Sequence, residues 1–236
     1  MIEIISQEIW IGDIDANIKE VKPEHIYSRW VLLIAGISYF IVFITSILIA
    51  IFLGPLGYNP YFNAISDLGS SHITPVAFLF DSSCFISPGF IIPSLIIIEK
   101  RVAPESFFNG IKNKSVSLKQ KFAVFGVAFG LIGLIGLILV GVFSLDRAGP
   151  MGIYHGIAAI LTFGGFVLCI FIFTLCLICF RGGISKVYAI ATSLLPIIML
   201  FLWFYTRILI FEWLSYLSIL SYLLFFHFTN FKRGGW

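Results

Sequence analysis

The sequence predicts an all-α, polytopic membrane helix bundle with six transmembrane helices and both termini cytoplasmic. Three observations predict it. Hydrophobic residues make up 59% of the chain and charged residues only 11%, against about 45–50% and about 25% in an ordinary soluble domain. Six apolar stretches of spanning length take up most of the 236 residues. The basic residues also fall almost entirely on one side of those stretches. Too little charge is present to cover a water-facing surface, which excludes a soluble globular enzyme, a disordered chain and a small disulfide scaffold.

A spanning helix needs about 20 mostly apolar residues at 1.5 Å rise across about 30 Å of hydrocarbon. Residues 30–53 meet this without a charge. The second span, 75–98, contains one acid, Asp81. The third covers 122–144, the fourth 151–180 and the fifth 185–205; the sixth, 208–228, is interrupted by Glu212. Residues 1–29 read as a cytoplasmic, interfacial segment, because Glu3, Glu8, Asp13 and Asp15 deny it the basic start of a signal peptide. Residues 229–236 form a short cytoplasmic tail.

Cytoplasmic loops collect Lys and Arg. Of the 15 basic residues, 13 precede the first span, follow the sixth, or lie between spans two and three or four and five. Only Arg147 and Arg207 fall on the other side. The Asn113-Lys114-Ser115 acceptor then lies in a cytoplasmic loop, where glycosylation is not expected. The four cysteines (Cys84, Cys169, Cys176, Cys179) all sit inside spans and read as packing residues. Neither a metal site nor a cofactor is expected. A net charge of +3 is accounted for by topology and gives no case for nucleic acid.

The candidate functional residues lie on the side opposite the basic loops. The first outer loop, 54–74, carries Ser66, Asp67, Ser70, Ser71 and His72, with Ser71 and Thr74 as prospective caps for a helix starting at Pro75. Asp81 follows, about 9 Å further along that helix. The second outer connection holds Asp146 and Arg147, then His155 one turn into the fourth span; the third supplies Arg207 and Glu212. An intramembrane acid is costly unless it faces the bundle interior and has a partner. Asp81 is therefore expected to bond to a hydroxyl or to His155, either as glue between helices or within a site. Asp146 with Arg147, and Arg207 with Glu212, are expected as local ion pairs, Arg207 being also a possible clamp for a lipid phosphate. No Gly-x-Ser-x-Gly elbow or His-Glu-x-x-His motif is present. Pro88-Gly89, Pro93 and Pro196 are expected to break or kink their spans. Glycines 126, 130, 133 and 136 in the third span, and 152, 156, 164 and 165 in the fourth, let helix backbones approach closely. They predict a tight hairpin of these two spans or an oligomer seam, homo- or hetero-oligomeric.

The run Asn59-Pro60-Tyr61-Phe62-Asn63-Ala64-Ile65-Ser66-Asp67-Leu68-Gly69, leading into Phe80-Asp81-Ser82-Ser83, resembles the domain-of-unknown-function 998 family of multi-span membrane proteins. Gly152-Ile153-Tyr154-His155-Gly156-Ile157-Ala158-Ala159 followed by Phe163 is similar to that group's second signature. A looser likeness is to Frag/DRAM/Sfk-type six-span membrane proteins. The resemblance picks out Ser66, Asp67, Gly69, Asp81 and His155, and the looser one implies a role with membrane lipids. Three functions stay open on this reading. The first is a lipid-headgroup or small-amphiphile site formed by Ser66, Asp67, His72, Asp81, Arg147, His155, Arg207 and Glu212. The second is an outer-face lipid-directed hydrolase or transferase with His155 as base and Asp81 orienting it. The third is a noncatalytic subunit or scaffold of a membrane complex.

Overall fold

The computed structural model describes residues 23–103, 117–147, 152–180 and 186–232. Most of the N-terminal segment, the Asn113 acceptor and the end of the tail lie outside the described residues. Those described form six helices: α1 (Pro23–Leu53), α2 (Ala77–Val102), α3 (Leu118–Val142), α4 (Ile153–Cys179), α5 (Lys186–Thr206) and α6 (Ile210–Lys232). Two 3₁₀ turns, Ile65–Gly69 and Leu145–Arg147, lie in the α1–α2 and α3–α4 connections, and no strand occurs among the described residues. Five helices are long and apolar enough to cross a membrane; the apolar stretch described in α6, Ile210–Phe225, is shorter.

Helix boundaries differ from the sequence reading where local chemistry decides them. The described part of α1 begins at Pro23, well before the apolar run. Pro75 does not start α2. That helix begins at Ala77 without a side-chain cap. Ser71 instead gives its backbone N–H to Asp146, and Thr74 Oγ1 accepts the Val76 N–H at 3.3 Å, closing the turn before the helix. At the opposite end of the bundle Ser117 and Gln120 form a reciprocal cap at the start of α3.

The bundle is apolar outside and hydroxyl-bearing inside. On α1, Ile34, Ile37, Ile41, Ile44 and Leu48 make an exposed stripe at helical spacing, while Tyr39, Phe43, Ser46 and Ala50 are buried. Water would not tolerate that stripe, but hydrocarbon does. Inside, Ser83, Ser87 and Ser94 of α2, Thr162 of α4 and Ser218 of α6 donate to carbonyls three or four residues earlier in their own helices. One of these bonds explains why Pro88 does not break α2. The proline leaves the Cys84 carbonyl without its usual donor, and Ser87 Oγ supplies one at 2.7 Å. α2 stays a single helix through Pro88 and Pro93, as does α5 through Pro196, whose carbonyl accepts from Ser215 Oγ of α6 at 3.1 Å.

α2 occupies the centre and packs on α1, α3, α4 and α6, while α3 and α4 form the most extensive pair. Their glycines are why. A Cβ on Gly133 would lie 2.8 Å from the Phe166 backbone nitrogen, one on Gly136 would meet Thr162, and one on Gly126 would lie 2.9 Å from the Phe173 ring. These glycines make a hairpin within one chain. Aromatic contacts tie α1, α2 and α6: Tyr39 stacks with Phe90 at 6.2 Å, Phe43 meets Trp213 and Tyr216, and the Tyr39 and Tyr216 hydroxyls hydrogen-bond. Cys84, Cys169 and Cys176 are buried in the packing, and Cys179 is exposed.

Candidate functional site

The α1–α2 loop is folded down onto one end of the bundle. Leu68 is fully buried, and Tyr58, Ile65 and Ser70 nearly so. Short polar bonds shape the loop. Asn59 Oδ1 accepts the Tyr61 N–H and Asn63 Oδ1 accepts the Asn59 N–H, both at 2.9 Å. Asp67 Oδ2 accepts the Ala64 N–H at 2.8 Å and Asn63 Nδ2 at 3.4 Å, pinning the 3₁₀ turn. Burial raises the Asp67 carboxyl above the usual carboxylate range, although these bonds and His155 pull the other way. Tyr58 Oη donates to the Ala64 carbonyl at 2.7 Å, and Trp213 Nε1 of α6 donates to the Asn63 carbonyl at 3.2 Å. Gly69 is required by close approach: a Cβ there would lie 3.0 Å from the Ser144 Cβ and 3.1 Å from both Asp81 Oδ1 and the Phe80 ring.

Two polar groupings result. In the first, Asp146 and Arg147, expected to pair with each other, part company. Asp146 accepts from Ser70 Oγ at 2.8 Å and from the Ser71 N–H at 2.5 Å, latching the first loop to the second. Arg147 reaches down the α3 terminus, pairs with Asp81, and donates to the Gly141 carbonyl at 2.8 Å and the Val142 carbonyl at 3.1 Å. These are two of the carbonyls a helix end leaves unpaired. Asp81 is thus engaged by Arg147 and not by His155, whose Nδ1 lies 2.8 Å from the Phe143 carbonyl. Desolvation pushes the Asp146 carboxyl up, but the Ser71 and Ser70 hydrogen bonds and nearby His72 outweigh it, leaving the group below its usual range. A depressed carboxyl stabilises the fold above its unfolded pKa and ceases to as pH falls through the folded one. Asp146→Asn is therefore expected to lower the melting temperature by a constant amount above about pH 4. That deficit should vanish in more acidic buffer, which a series of thermal melts at different pH will measure.

The second grouping lines a partly open cavity of about 30 Å³ between the loop, α2, α3, α4 and α6. Ser66 enters from the loop, His155 and Thr162 from α4, and Glu212 and Tyr216 from α6; Phe80, Leu137, Val140 and Phe163 are among the apolar walls. His155 and Glu212 are both buried. The Glu212 carboxylate faces the backbone N–H of Ile65. It does not pair with Arg207, which stands exposed over the Phe204 ring at 5.7 Å in a left-handed backbone conformation with φ 60°. His72 is exposed, with its backbone N–H on Ser70 Oγ.

Of the sequence-predicted site residues, the structure brings Ser66, His155 and Glu212 to one cavity. Asp81 and Arg147 form a separate pair, and His72 and Arg207 lie at the surface. Thr162 and Tyr216 were missed by sequence reasoning. Their signal was helical spacing, for Glu212 and Tyr216 are four residues apart and His155, Ala159 and Thr162 recur at four and three. Among the described residues no cluster of three or more His, Cys, Asp or Glu could hold a metal ion.

Fold and surface together fit an integral, multi-pass membrane protein. Comparison with protein-family models, curated proteins and solved structures returns no match.

Proposed function

We propose that this is a six-span membrane protein with cytoplasmic termini, residing in the cell membrane. Its extracytoplasmic, loop-capped end binds a lipid headgroup or small amphiphile. One observation carries the reading: Ser66, His155 and Glu212, from three distant parts of the chain, line one cavity whose other walls are mostly apolar. A few convergent polar groups in apolar walls are the usual composition of a ligand site. The engagement of Asp81 by Arg147, away from His155, favours binding over hydrolysis. A role with membrane lipids also agrees with the looser Frag/DRAM/Sfk likeness, and kinship with the domain-of-unknown-function 998 proteins forms part of the proposal.

Lipid mass spectrometry of the purified protein tests the site. A specific lipid or amphiphile is expected to accompany the wild type and to be depleted in His155→Ala and Glu212→Gln. Unchanged lipid content across the three would overturn the reading. Topology has its own measurement. A cysteine introduced by Asn113→Cys, with Cys179 replaced by Ser, is expected to resist an impermeant thiol reagent in intact cells and to react after lysis. Labelling in intact cells would reverse the assigned orientation.

A further inference from the structure

The chemistry of the cavity narrows the ligand, given the reading that this cavity is the binding site. We propose that the group it takes is a primary ammonium, carried by an aminoethyl-type lipid headgroup or by a small soluble amine. Three residues that carry acceptor atoms line the cavity from three segments. Glu212 is a buried carboxyl beside the backbone N–H of Ile65, and a carboxylate has about four acceptor positions. The His155 Nδ1 hydrogen bond to the Phe143 carbonyl requires a proton on Nδ1. In the neutral ring this leaves Nε2 as an acceptor. The Ser66 hydroxyl is the third. An –NH₃⁺ group offers three donors and no acceptor, and so matches this set.

Charge and size point the same way. Among the described residues no Arg or Lys lines the cavity. Arg147 is committed to Asp81 and two carbonyls, and Arg207 stands over Phe204. A phosphate or carboxylate entering beside Glu212 would meet like charge without a counter-ion. The Phe80, Phe163 and Tyr216 rings suit a cation. A volume of about 30 Å³ holds one or two water-sized groups. That admits a terminal –NH₃⁺, whereas a trimethylammonium has no N–H to offer these acceptors.

The test uses the full-length protein in nanodiscs containing equal parts of phosphatidylethanolamine, phosphatidylcholine and phosphatidylglycerol, with retained lipid read by native mass spectrometry. The wild type is expected to hold phosphatidylethanolamine over phosphatidylcholine by about tenfold or more, the loss of one charged hydrogen bond being worth that much. Glu212→Gln should abolish the preference, and Glu99→Gln, at the other end of α2, should keep it. If Glu212→Gln does not fold, Ser66→Ala and His155→Gln carry the same expectation of a reduced preference. Added ethanolamine separates the two sources. Displacement of the lipid supports a site that reads the free amine, and a preference that resists displacement supports the lipid headgroup. Equal retention of phosphatidylcholine, preference for phosphatidylglycerol, or a preference surviving Glu212→Gln would overturn the ammonium while leaving the binding site standing. Retention of no lipid above bulk composition, with no displacement or stabilisation by ethanolamine, would overturn both.

Discussion

Gly165→Ala is expected to abolish a stably folded bundle, or to lower its melting temperature in detergent more than any other single-methyl change in α4. A Cβ at that position would lie 2.6 Å from the Gly133 Cα and 2.9 Å from the Phe129 carbonyl oxygen. Both obstacles are backbone, so no rotamer change relieves them, and α3 and α4 must separate along their shared face. Overpacking a well-filled core costs about 1–3 kcal/mol, and a backbone-on-backbone clash belongs at or above the top of that range. In a membrane the loss is not compensated elsewhere, because lipid tails are as apolar as the helices they would replace. Gly156, one face away on the same helix, supplies the control. A Cβ there meets nothing within 4 Å. Gly156→Ala should therefore be neutral or gain up to about 1 kcal/mol from helix propensity. Equal melting temperatures for the two alanine variants would show that the α3–α4 contact does not form as described.

Arg147→Ala is expected to produce the second large loss, about 2–3 kcal/mol. Breaking a fully buried ion pair costs about 3–5 kcal/mol. The estimate is reduced because the Arg147 side chain is 54% exposed, whereas that of Asp81 is only 10% exposed. The substitution strands the Asp81 carboxylate, whose Oδ1 is already buried without a partner among the described residues, and uncaps the Gly141 and Val142 carbonyls. Arg147→Lys should recover little, since a single ammonium cannot reproduce the guanidinium fork that reaches the acid and both carbonyls. Asp81→Asn combined with Arg147→Ala should be more stable than Arg147→Ala alone, because the stranded charge is gone. Thermal unfolding of the wild type, Asp81→Asn, Arg147→Ala and the double variant closes the cycle. A double variant no better than the single one would mean that the pair contributes nothing beyond the helix cap.

The sequence made the helices legible because most of the apolar runs are long, and hydrocarbon sets a minimum length for a span. It also made legible the α3–α4 hairpin, since glycines at three- and four-residue spacing have few uses in a span other than close approach. Partner choice was not legible. Asp146 and Arg147 are adjacent, and adjacency suggested a local pair. Yet neighbours in a 3₁₀ turn project in different directions, so one side chain latches the first loop while the other descends to Asp81. Arg207 and Glu212 separated for a related reason: Arg207 ends α5 in a left-handed turn and points outward, whereas Glu212 lies in the first turn of α6 and points inward. The expected breaks at Pro88 and Pro93 did not occur, because nothing in the linear pattern shows which hydroxyl will serve a freed carbonyl. Ser66, His155 and Glu212 were each recognisable as polar residues of one end. Their meeting in one cavity depends on how far the loop folds down over α2.

The bond from Trp213 to Asn63 spans 150 residues of sequence. At a synthesis rate of about 5–20 residues per second, α6 emerges roughly 10–30 s after the loop it must hold. During that interval α1 and α2 are already made, but the loop lacks its α6 anchor and the cavity lacks the Glu212 and Tyr216 wall. The order of biogenesis therefore makes the site a late product of assembly. A nascent chain stalled before α6 would have neither the Trp213 anchor on the loop nor the Glu212 and Tyr216 side of the cavity.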